Sequence, residues 1–178
     1  MIYLYHFTSK KNWEKIKKSG KIIPRTKIQW AYNPEDFTEK TRLLCTAKHY
    51  TVGFPEPFHK GWVGYGLWGE IFRLIKTEIL LKIKIPKNSN GFVREHALCS
   101  PKGMKDKYGI DLYFLAYNKK ISVHDQRIKE SLAAYWNSAV SIKNYKNNFI
   151  VPEIWIPEVI KSKDFEEINF QKGFTQFS

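Results

Sequence analysis

The chain has 178 residues, 43% of them hydrophobic and 26% charged, a length and balance that exclude a disordered or collagen-like chain and fit one domain spanning 1–178. Thirty Lys and Arg against 17 Asp and Glu leave a formal charge of +13, which draws a protein to polyanions, with nucleic acid the natural partner. The apolar runs are too short and too often broken by Lys to span a bilayer, so no membrane partner is expected, and Cys45 and Cys99 make neither a disulfide framework nor a familiar metal spacing.

Taken in chain order, Met1–His6 reads as a strand, with neither the basic leader nor the cleavage site of a signal peptide, so a cytoplasmic protein is expected. Ser9 is placed to cap a helix running to Ser19, with Trp13 and Ile16 on one face and Gly20 at its end. The other face carries Lys10, Lys11, Lys15, Lys17 and Lys18, and with Lys21, Arg25 and Lys27 it forms the most basic part of the chain. A phosphate backbone fits along it, although a solvated helix face is the ordinary reading of such a run. Residues 29–42 read as a loop, and Arg42–Thr46 as a short apolar strand.

Between Val52 and Gly69, glycines and prolines are packed among aromatics, which suits a loop lining a pocket for a flat ring, or one that roofs the core. Glu78–Ile85 alternates, with Ile79, Leu81, Ile83 and Ile85 expected on a buried face and Leu80, Lys82 and Lys84 on a wet one. Ile110–Tyr117 and Phe149–Ile156 are further strand candidates, the latter with Pro152 at its edge, a bulge or its start. Gln126–Ala139 has the apolar spacing of a helix packed on a sheet, and Lys163–Phe170 fits strand or helix equally. These elements predict an α+β fold with a mainly antiparallel sheet and a few short helices.

Phosphate-loop and dinucleotide glycine fingerprints are missing, as is a serine nucleophile turn, and the five histidines lack the spacing of a zinc peptidase, so no metal is expected. On a strand His6 and Thr8 point to the same side and can converge on one ligand. The stretch Tyr5-His6-Phe7-Thr8-Ser9, followed by a helix, Gly20 and Ile22-Ile23-Pro24, resembles the opening of ADP-ribosyltransferases of the diphtheria-toxin-like class. Ile150-Val151-Pro152-Glu153-Ile154-Trp155-Ile156-Pro157 is similar to the late strand of that superfamily, which begins on a catalytic glutamate.

The resemblance implies a split-sheet ADP-ribosyltransferase-like fold and NAD as substrate. It implies that His6 and Thr8 hold NAD and that Glu153 stabilises the oxocarbenium-like transition state. Tyr65, with Trp68 as substitute, would stack on nicotinamide, and Arg42 or Arg73 would neutralise the pyrophosphate. Val151 stands two positions before Glu153, where arginine-specific members carry a second acid. The implied activity is therefore transfer of ADP-ribose to DNA or RNA, as in DarT-type toxins, with the acceptor arriving along Lys10–Lys27. A related possibility is the RNA 2′-phosphotransferase reaction, which relies on basic pocket residues rather than one glutamate. The alternatives from other classes are a non-enzymatic nucleic-acid-binding domain and a protein-binding factor with Trp62 and Trp68 as hot spots.

Overall fold

The computed structural model describes residues 2–27, 37–58, 61–67, 78–86, 88–111 and 125–168. The expectations for Trp68, Arg73 and most of the Ile110–Tyr117 strand lie outside the described residues. In chain order the elements are β1 (Tyr3–Thr8), α1 (Lys10–Ser19), β2 (Lys21–Ile22), α2 (Glu39–Leu44), β3 (Thr51–Gly53), α3 (Gly61–Gly64) and β4 (Ile79–Lys84). They continue with β5 (Phe92–Glu95), a tight turn at His96–Cys99, α4 (Pro101–Tyr108), α5 (Gln126–Asn137), β6 (Val140–Ser141), β7 (Pro152–Ile156), β8 (Ile160–Lys161) and β9 (Phe165–Ile168).

The strands form a three-stranded sheet in the order β1-β4-β9, a four-stranded sheet β3-β7-β5-β6 and a small β2-β8 pair, with antiparallel pairing throughout. The two larger sheets meet at one bridge, where Tyr5 and Phe54 exchange backbone hydrogen bonds of 2.7 and 3.1 Å. Gly53 sits at this junction because a Cβ there would lie 2.3 Å from the Tyr5 carbonyl oxygen. Beyond Tyr5 the described residues form no further β1–β3 bridge, so the sheets part at His6–Thr8.

The first core fills the space between the sheets. Leu4, Leu81 and Ile83 from one meet Val93, Ile154 and Ile156 from the other, and Trp13 and Ile16 of α1 pack against them. Each such side chain contributes about 1.5–3 kcal/mol on burial. Helix α1 ends as expected: Gly20 adopts φ 63° and its amide donates to the Ile16 carbonyl at 2.8 Å. A second core lies on the opposite face of the four-stranded sheet, where Phe92 and Trp155 receive Tyr135 and Trp136 of α5.

Two expectations need correction, and two further elements were not foreseen. Arg42–Thr46 is not a strand, because Thr38 caps a helix there: its hydroxyl accepts from the Thr41 amide at 3.3 Å, and Asn137 of α5 accepts from the Thr38 amide at 2.9 Å. Leu80 is fully buried rather than wet, because an aromatic cluster with Phe7, Phe54 and Trp62 covers the second face of β4. The residues 92–95 and 101–108, not expected as elements, form β5 and α4.

Candidate functional site

The expected site residues fall into two groups on opposite faces of the junction. Leu4 of β1 lies in the core between the sheets with Ile154 and Ile156, whereas Tyr5 and Phe7 cluster with Phe54, Trp62 and Val151. Strand alternation therefore turns His6 and Thr8 to the Leu4 side and Glu153 to the Val151 side. The structure does not gather His6, Thr8 and Glu153 onto one surface.

His6 and Thr8 line a cleft of about 360 Å³ between β1, α1 and β2. Its wall also carries Lys15, Lys21, Arg25 and Thr51, and no carboxylate is among its lining residues. His6 Nδ1 is 2.7 Å from the Val52 carbonyl oxygen, which can only accept. Nδ1 must therefore carry the proton, and in the neutral ring Nε2 becomes an acceptor. Burial pulls the His6 pKa below 6.5, opposed by the Val52 contact, so the ring is neutral at pH 7. Thr8 is buried at the parting of the sheets, and Thr51 Oγ1 is buried without a hydrogen-bond partner among the described residues. The cleft thus offers a hydroxyl-accepting nitrogen, threonine hydroxyls and three cations, a set that suits a ligand bearing both sugar hydroxyls and phosphate.

Of the five lysines expected to meet nucleic acid, all on α1 are exposed, and Lys15 reaches the cleft. Lys17 pairs with Glu14 at 2.6 Å, while Lys10, Lys11, Lys15 and Lys18 have no side-chain ion pair among the described residues. Arg42 does not reach the cleft. It lies on α2, where its Nε donates to the Phe37 carbonyl at 3.1 Å, and Arg25 is the arginine that lines the cleft instead.

The second group sits around Glu153. Tyr135 donates its hydroxyl to Oε2, and Trp155 Nε1 donates to the same oxygen at 2.7 Å. His96 Nδ1 lies 3.4 Å from Oε1, an ion pair when the ring is protonated. Burial works to raise the Glu153 pKa, but the His96 contact, the charge of Arg94 and the Tyr135 hydroxyl outweigh it and hold the group at about 2. Burial and the neighbouring carboxylate push the Tyr135 hydroxyl well above its ordinary value. Tyr65 lies on this face too, packed against the cluster of Phe54, Trp62 and Val151. The side chain of His96 is 18% exposed against 9% for Glu153, so the imidazole is the more accessible end of the pair.

Sequence reasoning missed His96, Arg94 and Tyr135 as neighbours of Glu153. Tyr135 sits within the apolar spacing of the Gln126–Ala139 helix, and Arg94 and His96 lie on a strand and turn that the charged run Arg94-Glu95-His96 disguises. Trp155 alone carried a signal that could have been read, because residues two apart on a strand share a face. Glu95, the carboxylate beside them, is structural: it accepts from the amides of Ala97, Ile150 and Val151 at 3.1, 2.5 and 2.8 Å and locks the start of β7 to the end of β5. No helix among the described residues is long and apolar enough to cross a membrane. No protein-family model, curated protein or solved structure matches the chain.

Proposed function

We propose that this protein binds NAD and transfers ADP-ribose from it to a nucleic acid, on an ADP-ribosyltransferase-like fold. The observation that carries the reading is the cleft beside His6: a neutral imidazole with Nε2 as acceptor, set among Lys15, Lys21 and Arg25, fits a ribose hydroxyl next to a diphosphate. The adenosine diphosphate half occupies this cleft. For the reaction to proceed, the nicotinamide end has to reach the face that holds Tyr65, His96 and Glu153.

On that face the glycosidic C–N bond breaks, its electron pair leaves with nicotinamide, and positive charge develops at the anomeric carbon. The Glu153 carboxylate, ionised at neutral pH, opposes that charge from beneath the surface. His96 takes the proton of the incoming acceptor, and Glu153 stabilises the imidazolium that results. Acceptor strands are drawn in by the exposed lysines of α1, which have no ion-pair partner among the described residues except Lys17, and of which Lys15 lines the cleft.

Incubation with labelled NAD and, separately, DNA or RNA tests the reading, with nicotinamide release and label transfer followed together. Turnover lost in His6→Ala and His96→Ala variants that melt like the wild type is the expected result; no turnover with any acceptor sinks the proposal. The exposed lysines also favour a second reading, a nucleic-acid-binding domain without catalysis, which predicts salt-sensitive binding and intact NAD.

A further inference from the structure

Arg94 is the one fully buried arginine among the described residues, and neither the cleft nor the proposed chemistry uses it. It stands directly across the β5–β7 ladder from Glu153. Its side chain is 0% exposed, and Nε, Nη1 and Nη2 all lack a hydrogen-bond partner among the described residues. The guanidinium carbon lies 3.2 Å from the ring centre of Trp136, 4.0 Å from that of Trp155 and 4.9 Å from those of Tyr135 and Phe92.

Two of those four rings, Tyr135 and Trp155, are the donors that hold Glu153 Oε2. We propose that Arg94 is the positioning residue for Glu153, acting through the Tyr135 and Trp155 rings that it shares with that carboxylate. A cation over a ring face draws electron density toward itself and leaves the O–H or N–H at the ring edge a stronger donor. The charge of Arg94 is thus relayed to Oε2 by two polarised donors instead of a direct ion pair. Oε2 is pinned, and Oε1 is presented to His96.

Shape alone does not account for an arginine here. A methionine would fill the aromatic box without the desolvation that a guanidinium suffers, and a buried charge is tolerated only when another compensates it. Glu153 is that compensation, so each member of the pair requires the other. The titratable groups facing Glu153 are His96 and Tyr135, and those facing Arg94 besides are Tyr50, Cys45 and Cys99.

The positioning role rests on Glu153 being the working carboxylate of the reaction proposed above; the charge pairing does not. The test uses the full chain as wild type, Arg94→Met, Arg94→Lys, Glu153→Gln and the double variant Arg94→Met with Glu153→Gln. Thermal melting and a carbon-detected NMR titration of the Glu153 carboxyl are read on each variant that retains the groups concerned. Arg94→Met is expected to move the Glu153 midpoint up by about one pH unit or more, with Arg94→Lys recovering part of the difference.

The double variant is expected to melt above either single one. An unchanged midpoint in Arg94→Met, or a double variant whose loss is the sum of the singles, overturns the proposal. Should Arg94→Met fail to fold, folding regained in the double variant supports the pairing, and a double variant that also fails to fold overturns it. Variants that show these shifts beside a wild type that leaves NAD intact count against the reaction while supporting the pairing; NAD turnover with an unmoved midpoint overturns the Arg94 proposal and leaves the reaction standing.

Discussion

The cleft beside β1 and the box around Glu153 handle charge in opposite ways. In the cleft, Lys15, Lys21 and Arg25 gather without a carboxylate among the lining residues, and water screens them until a ligand arrives. In the box, one cation and one anion are sealed among aromatic rings, and neither is screened. The cleft can lose a cation and keep its fold, because Lys15, Lys21 and Arg25 are exposed to water. The box cannot lose one charge without stranding the other. A single chain thus separates a solvated basic cleft from a buried charge pair on which the fold leans.

The largest effect should follow from breaking the box. Glu153→Gln leaves Arg94 buried and uncompensated, and a loss of about 3–5 kcal/mol is expected in urea unfolding. A loss below that of an ordinary surface change would mean that the two charges do not lean on each other. For this reason a dead Glu153 variant identifies a catalytic group only beside a melting curve that shows it folded.

Next in size is the replacement of Glu95 by Gln, which weakens charge-assisted bonds to the amides of Ala97, Ile150 and Val151. About 2 kcal/mol should be lost, with hydrogen exchange of the Ile150 and Val151 amides accelerated locally. Uniform acceleration across the molecule would argue against so local a role.

Acid should discriminate the two regions as well. Glu153 is held at about 2 against an ordinary 4.5, so its contribution is complete above pH 4.5 and is lost as the pH falls toward 2. His6, held below its ordinary 6.5 by burial, favours the neutral ring. Its share of stability is complete above pH 6.5 and is lost below it, and ligand affinity in the cleft should decline over the same lower range as Nε2 ceases to accept. A cleft that binds equally well once His6 is protonated would show that Nε2 takes no part.

The smallest change tests the cleft alone. Thr51→Val removes a buried hydroxyl that has no partner among the described residues and places a β-branched side chain on β3. Stability should hold or rise by about 1 kcal/mol. A fall in melting temperature would show that the hydroxyl supports the fold.

How much of this could be read from the sequence depended on whether the deciding contact was local. Helix α1 was legible because Ser9 and Gly20 mark its ends within one short segment, and β7 because its apolar run is local, with the strand start as the one of Pro152's three allowed places that the structure takes. Helix α2 was not, since a run as short as Arg42–Thr46 fits either period and its cap is completed by Asn137, far along the chain. Strand β5 was hidden because Arg94 and Glu95 are charges that only the rings and amides of other elements make buriable. His6 and Glu153 were both visible as candidates. Their separation onto two faces was not, because it follows from where the sheets join and part.

The β2–β8 and β1-β4-β9 pairings give the molecule a particular order of assembly. Strand β2 finds its partner only at Ile160–Lys161, and β4 receives β9 only at Phe165–Ile168. Contacts so distant in sequence form slowly and depress the folding rate. The β2 wall of the cleft is thus secured along its edge by a late-forming contact, although β8 itself contributes no lining residue.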